Sequence, residues 1–345
     1  PNAWHLLALF VGTIAAIIGK ALPIGAVSII AIALVAVTGV TNPNSTKAAI
    51  GDALSGFSND LIWLIGISIM VSMSLNKTGL GARIGYYFIS LFGKRTIGIA
   101  YSLAIAETIL APVTPSNTAR GGGIIHPIMR SISDSFNSKA EDGTSGKIGR
   151  YLSLVNYNIN PITSAMFITA TAPNPLIVSL IISETDPTHE LSWSMWAIAA
   201  FVPAIVSLIL MPIVIYLLYK PEITSTPNAP HFAKERLAQL GPISLPEKIT
   251  LAVFALLLIM WAGVPALLFG DGFSVNATTA AFIGLSILLC TGVLNWDDIL
   301  KNKGAWDTVV WFSALVMMAS FLGKLGLIKW LSLSVGASID SMGIS

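Results

Sequence analysis

Residues 111–128 read APVTPSNTARGGGIIHPI, and they interrupt an apolar run that extends from Ile97 to Ile132. The interruption is a polar, proline-bearing knot of Pro112, Thr114, Pro115, Ser116, Asn117 and Thr118. Proline lacks an N–H and blocks the preceding turn, so Pro112 and Pro115 should end the first arm. Ser116 is placed to cap the second arm. A helix N-terminus carries partial positive charge and free N–H groups, which suits a carboxylate. Gly121, Gly122 and Gly123 would let the two arms approach closely. Non-helical backbone at membrane depth is tolerated only where protein or water satisfies it. The plainer alternative is an ordinary loop between two spans.

The rest of the chain places this knot inside a bilayer. Of 345 residues, 54% are hydrophobic and 10% charged, with a mean hydropathy of +0.78. A soluble domain is usually nearer 25% charged, so the expected fold is an all-α membrane protein. A span needs about 20 mostly apolar residues. Candidate spans cover 3–19, 22–40, 61–75, 151–182, 193–219, 249–268, 278–293 and 309–322, with an amphipathic stretch at 79–93. The net charge of +2 and the lack of basic runs with interleaved aromatics argue against nucleic acid. Cys290 is the only cysteine, so no intrachain disulfide forms, and it reads as a small core residue. No basic leader with a cleavage site opens the sequence.

Basic residues orient the spans. If the hairpin at 97–132 enters and leaves on one side, 15 of the 19 lysines and arginines fall on that side. The other side keeps Lys47, Lys324 and Lys329, and Arg120 lies within the hairpin. This positive-inside bias puts the hairpin mouth in the cytoplasm, and a hairpin that crossed the membrane would weaken it.

The chain also repeats itself. LPIGAVSIIAIALVAVTGV and IWLIGISIMVSMSLNKTGLGARI, from residue 22, recur as ATTAAFIGLSILLCTGVLNWDDIL and VVWFSALVMMASFLGKLGLIKWL, from residue 277. Thr38-Gly39-Val40 matches Thr291-Gly292-Val293, Trp63 matches Trp311, and Lys77/Gly79 match Lys324/Gly326, in one order at similar spacing, the tryptophans being 248 residues apart. Five spans separate the copies, so the second is inverted, as in many secondary transporters. The expected organisation is a first repeat at 1–225, a cytoplasmic linker at 226–246 and an incomplete second repeat at 247–345. A second knot is expected about 20 residues beyond Ser345, together with further spans there and one more helix before Pro1.

Other residues could carry chemistry. TSAMFITATAPNPL, from Thr163 to Leu176, lies in a segment of about 32 residues, roughly 48 Å as a helix. Pro173 and Pro175 either break it or kink it for packing. A break would free carbonyls near Thr169, Ala170 and Thr171 for a cation or water. Glu107 and Arg120 sit in opposite arms of the hairpin and could form a structural ion pair, or Arg120 could face the substrate. His126 reads as a packed or capping residue. Asn156, Asn158 and Asn160, two apart, read as serving a helix end or loop. No dinucleotide, phosphate-loop, zinc-protease or nucleophile-elbow motif occurs, and four histidines without ligand spacing argue against a metal.

LAPVTPSNTARGGG, SGFSNDLIWL, KTGLGARI, MFITATAPNPL and YKPEIT together resemble the divalent anion:sodium symporter family. The likeness is strongest to its bacterial citrate:succinate and tartrate:succinate antiporters and plastid 2-oxoglutarate/malate translocators, and it covers essentially the whole chain. The resemblance implies an inverted-repeat fold, two re-entrant hairpins, a broken helix and a homodimer in a bilayer. It implies substrate carboxylates held between two Ser-Asn-Thr tips, the first being Ser116, Asn117 and Thr118. Arg120, Thr171 and Asn174 complete the expected substrate set. A sodium ion in coupled relatives would correspond here to Ser116, Asn117, Thr169 and Ala170. Ala170 stands where relatives often have glycine, and Arg120 follows the tip. Both favour exchange without sodium, with no other cofactor. The expectation is alternating-access exchange of dicarboxylates and tricarboxylates such as succinate, malate, 2-oxoglutarate, citrate or tartrate, in a bacterial inner membrane. The rivals are a sodium-coupled symporter and a non-transporting scaffold subunit; an enzyme is not expected.

Overall fold

The computed structural model describes residues 2–184 and 191–341, without side-chain detail at 179–184 and 336–341. Nearly all of it is helical: α1 (Asn2–Ile18), α2 (Ile24–Thr38), α3 (Thr46–Leu54), α4 (Asp60–Thr78), α5 (Leu80–Phe92), α6 (Thr96–Leu110), α7 (His126–Ser135), α8 (Gly149–Met166) and α9 (Pro173–Glu184). There follow α10 (Trp193–Leu218), α11 (Ala229–Leu240), α12 (Leu245–Trp261), α13 (Val264–Phe269), α14 (Ala277–Cys290), α15 (Trp296–Lys301), α16 (Lys303–Lys324) and α17 (Leu327–Ser341). Among the described residues, four stretches are long and apolar enough to cross a membrane: Asp60–Thr78, Thr96–Val113, Trp193–Leu218 and Lys303–Lys324. Helices α1, α2 and α14 are shorter and apolar, and α11 with α12 forms a pair bent by 106°. This is an all-α membrane protein.

The chain divides into two compact units. One combines residues 1–66 with 302–345. Its core is Leu6 of α1, Ala31, Ile32 and Val35 of α2, and Ala314, Met317, Met318 and Leu322 of α16, all buried. A tight turn after α3 brings Gly56 against α16, where an added Cβ would lie 2.0 Å from the Ser313 carbonyl oxygen. Only glycine fits so close an approach.

The other unit covers residues 67–301 and holds the knot. Helix α6 packs on α5, α8 and α10. The linker expected at 226–246 is an ordered helix, α11, laid along α5. Arg83 of α5 fastens its end: the guanidinium donates to the carbonyls of Leu240 (3.3 Å) and Gly241 (2.9 Å) and to Glu247 of α12 (2.6 and 3.2 Å). Glu247 is also the third residue of α12, in a reciprocal capping box with Ser244. The expected span at 249–268 is split, because α12 ends at Trp261 and Gly263, at φ 73°, turns the chain into α13.

A short strap, residues 220–226, pins the surroundings of the hairpin. Thr96 donates its N–H to Thr224 (3.1 Å), and Thr226 donates its N–H to Lys94 (2.9 Å) and its hydroxyl to Gly93 (2.7 Å). On the strap's other edge, Glu222 and Ile223 donate to Gly146 and Lys147, each at 3.0 Å. Both the entry to α6 and the entry to α8 are thereby fastened to one segment.

Candidate functional site

The first arm ends as the sequence anticipates. After Leu110 the chain tightens into a 3-10 turn at Ala111–Val113 and then runs extended through Thr114. Ser116 caps the second arm, its Oγ accepting the Ala119 N–H at 3.2 Å, and Asn117 Oδ1 accepts the Thr118 N–H at 2.8 Å. Two of the N–H groups expected to meet a carboxylate are therefore satisfied within the tip. The second arm then opens with a π-helical stretch, Thr118–Ile125, before α7. Such wide turns are frequent at functional sites.

Arg120 lies under the tip with no exposed surface, and its five donors are all engaged. Nη1 donates to the carbonyls of Thr114 (2.8 Å) and Ala170 (3.0 Å). Nη2 donates to the hydroxyls of Thr163 (3.3 Å) and Ser164 (2.8 Å) of α8. Nε reaches Glu107 Oε1 at 3.4 Å. The expected Glu107–Arg120 pair is present, but it is a single long contact, and four of the five bonds go to neutral oxygens. Glu107 is 1% exposed and its Oε2 has no partner. The guanidinium thus bridges the tip and the break in the long helix.

That break lies at residues 167–172, ahead of the prolines: α8 stops at Met166 and Pro173 opens α9. Pro173 is tolerated there because a first-turn N–H has no helical partner to lose. Of the carbonyls freed by the break, Ala170 faces Arg120 and Thr171 accepts the Asn174 N–H at 3.2 Å. Asn174 Nδ2 caps the end of α8, donating to Ser164 (2.8 Å) and Phe167 (3.0 Å). Thr169 donates to Pro112 and accepts the Trp193 indole N–H at 3.0 Å. The oxygens of the four residues suggested for a cation are thus engaged: Ser116 with Ala119, Asn117 with Thr118 and Asn160, Thr169 with Pro112, and Ala170 with Arg120. The Arg120 guanidinium itself spans tip and break.

A cavity of about 710 Å³ opens on the tip. Asn117, Thr118 and Gly121 line it from the hairpin, and Asn156, Tyr157 and Asn160 from α8. Among the described residues, no lysine, arginine, aspartate or glutamate lines it. Of the expected substrate set, Asn117 and Thr118 face this cavity, Ser116 caps the arm beside it, and Arg120 lies buried. Thr171 and Asn174 do not line it. His126 is exposed and lines both this cavity and an adjoining one of about 270 Å³, rather than packing inside.

Asn160 ties the parts together from within α8, not from the helix end or loop to which the sequence reading assigned it. Its Nδ2 donates to Glu107 and to the Asn117 carbonyl (3.0 Å). Gly121 makes room, since a Cβ there would lie 2.6 Å from that nitrogen. Asn156 stands one turn earlier on the same face, with Nδ2 3.4 Å from the Gly121 carbonyl, whereas Asn158 turns back to Leu154. The signal was the four-residue spacing of Asn156 and Asn160, continued by Thr163 and Ser164 as a polar stripe.

Residues 1–344 match the family described as "Sodium:sulfate symporter transmembrane region". The chain belongs to that family. It is a family of transporters, not enzymes. Among relatives, the chain is 50% identical to YflS of Bacillus subtilis, named as a candidate malate transporter, over 99% of this chain and 68% of that protein. It is 41% identical to Dicarboxylate transporter 1, chloroplastic, of Spinacia oleracea, over 100% of this chain and 58% of that protein. Against the Arabidopsis thaliana protein of the same name it is 41% identical over 59% of that length. The chain thus spans between about three-fifths and two-thirds of these relatives.

Proposed function

We propose that this member of the sodium:sulfate symporter family exchanges dicarboxylates and tricarboxylates across a membrane by alternating access, without sodium. The observation that carries the reading is Arg120, whose guanidinium joins the Thr114 carbonyl of the tip to the Ala170 carbonyl of the break. A dianion entering a low-dielectric site needs neutralisation, because an unpaired buried charge costs several kcal/mol. A sodium ion that travels with the substrate makes a symporter, whereas an arginine neither travels nor deprotonates. With its one carboxylate contact at 3.4 Å, Arg120 leaves positive potential for the substrate. An empty carrier then reorients poorly and a loaded one crosses, which gives obligatory exchange. Arg120 acts through its field; Asn117 and Thr118, on the cavity wall, make the contacts.

The names of the relatives support carboxylates as substrates. The inverted-repeat reading is supported by paired landmarks. Gly39 and Gly292 both take positive φ (58° and 71°), as do Gly79 and Gly326 (81° and 80°). Thr38 donates to residues 34 and 35, and Thr291 to the equivalent residues 287 and 288. We place the hairpin as re-entrant with a cytoplasmic mouth on the 15-to-3 basic bias, in a bacterial inner membrane, with the protein working as a homodimer.

Counterflow in liposomes with a panel of C4–C6 acids, with and without sodium, tests the reading. Exchange that persists without sodium is expected. Exchange that vanishes without sodium would make the protein a symporter, and no counterflow of any acid would leave the scaffold reading.

A further inference from the structure

The wall of the tip cavity includes a side chain with an unsatisfied acceptor, which a carboxylate cannot satisfy. A carboxylate offers only acceptors, so a wall built for carboxylates alone needs only donors. Asn156 of α8 lines the cavity, and its Oδ1 is buried without a partner. Its orientation is fixed by chemistry: Nδ2 must face the Gly121 carbonyl, since the reverse would set two acceptors against each other. That bond, at 3.4 Å, is among the longest in the site. Breaking so long a bond sacrifices little, so the carboxamide can turn to a ligand that offers its oxygen a donor. A buried acceptor without a donor is costly, and the group that relieves it must carry a proton on an oxygen or nitrogen.

Resting on the dicarboxylate reading of this cavity, we propose that Asn156 is a specificity residue, accepting a hydrogen bond from the hydroxyl of a 2-hydroxydicarboxylate. Malate-like acids then bind better than their unhydroxylated counterparts of equal charge and length. Asn160, the other carboxamide of this face, commits its Nδ2 donor to Glu107 and the Asn117 carbonyl. It positions the tip, while Asn156 reads the ligand.

The test compares counterflow of malate and succinate in wild type and Asn156→Ala. Elution as a single species and melting temperature in detergent serve as the control for folding. The proposal expects the malate-to-succinate ratio of apparent affinities to fall roughly 2- to 13-fold, the worth of one net hydrogen bond, beyond any loss common to both acids. Equal loss of both acids, or no change in either, overturns it while leaving the dicarboxylate reading intact. A wild type that exchanges neither acid overturns both. If Asn156→Ala does not fold, Asn156→Ser removes the same reach and carries the comparison.

Discussion

Replacing Arg120 by alanine is the sharpest perturbation of the site. The side chain has no exposed surface and its partner Glu107 is 1% exposed, so solvent screens neither charge. Loss of the guanidinium leaves a buried carboxylate without a cation, which typically costs about 3–5 kcal/mol. It also strips donors from the Thr114 and Ala170 carbonyls. The double variant Arg120→Ala/Glu107→Gln removes the stranded charge; the vacated volume and the acceptors left unpaired, about 1–3 kcal/mol each, are common to both variants. Thermal unfolding in detergent should therefore rank wild type above the double variant, and the double variant above Arg120→Ala. Transport separates the roles. If Arg120 is the fixed cation, the folded double variant exchanges nothing or becomes sodium-dependent, while Glu107→Gln still exchanges. Sodium-free exchange at wild-type rate in folded Arg120→Ala or in the double variant would refute the fixed-cation argument and leave a structural pair.

Asn117→Ala and Thr118→Ala should each weaken apparent substrate affinity roughly 5- to 150-fold, the range for an unpaired buried partner; concentration-dependent counterflow reads this. Gly121→Ala should lower the melting temperature and impair exchange, because its Cβ would lie 2.6 Å from Asn160 Nδ2, whereas Gly122→Ala, with nothing within 4 Å, should melt like wild type. A cysteine at Ser145, half-exposed in the loop before α8, should resist impermeant labelling from outside intact cells on a Cys290→Ala background; Ser138, buried and bonded to Ile148 and Gly149, is unsuitable. Hydrogen bonding from the Asn295 backbone, then Lys77, holds the Asp298 carboxyl below its usual range. Its contribution is present above the unfolded pKa of about 4 and lost as pH falls through the depressed value. The difference in melting temperature between wild type and Asp298→Asn should accordingly shrink as pH falls below about 4.

The spans were legible because their lengths and apolarity are written residue by residue, and the tip because Pro112 and Pro115 cannot continue a helix. What was missed depends on which way a residue faces. A membrane helix can be apolar all round, so hydropathy conveys no face; Asn156 and Asn160 were read at spacing two and dissociated from one another. Helix α11 was passed over because it is too polar to span, although Pro230 near its start and Gly241, at φ 68°, after its end mark it. Cys290, taken as a core residue from its apolar neighbours, is exposed at the end of α14. Apolar neighbours along the chain do not distinguish a core from a surface turned to lipid.

The strap at residues 220–226 also imposes an order of assembly. The ribosome completes both hairpin arms by Ser135 and the turn at Gly146 and Lys147 soon after, yet the residues that fasten them arrive about 80 positions later. At about 5–20 residues per second, that is a delay of roughly 4–16 s. During it the entries to α6 and α8 lack their shared fastening, and Thr96, Gly146 and Lys147 lack their backbone partners. A nascent chain stalled before Glu222 should therefore be cut by protease near Lys94 and Lys147, and one released after Thr226 should resist.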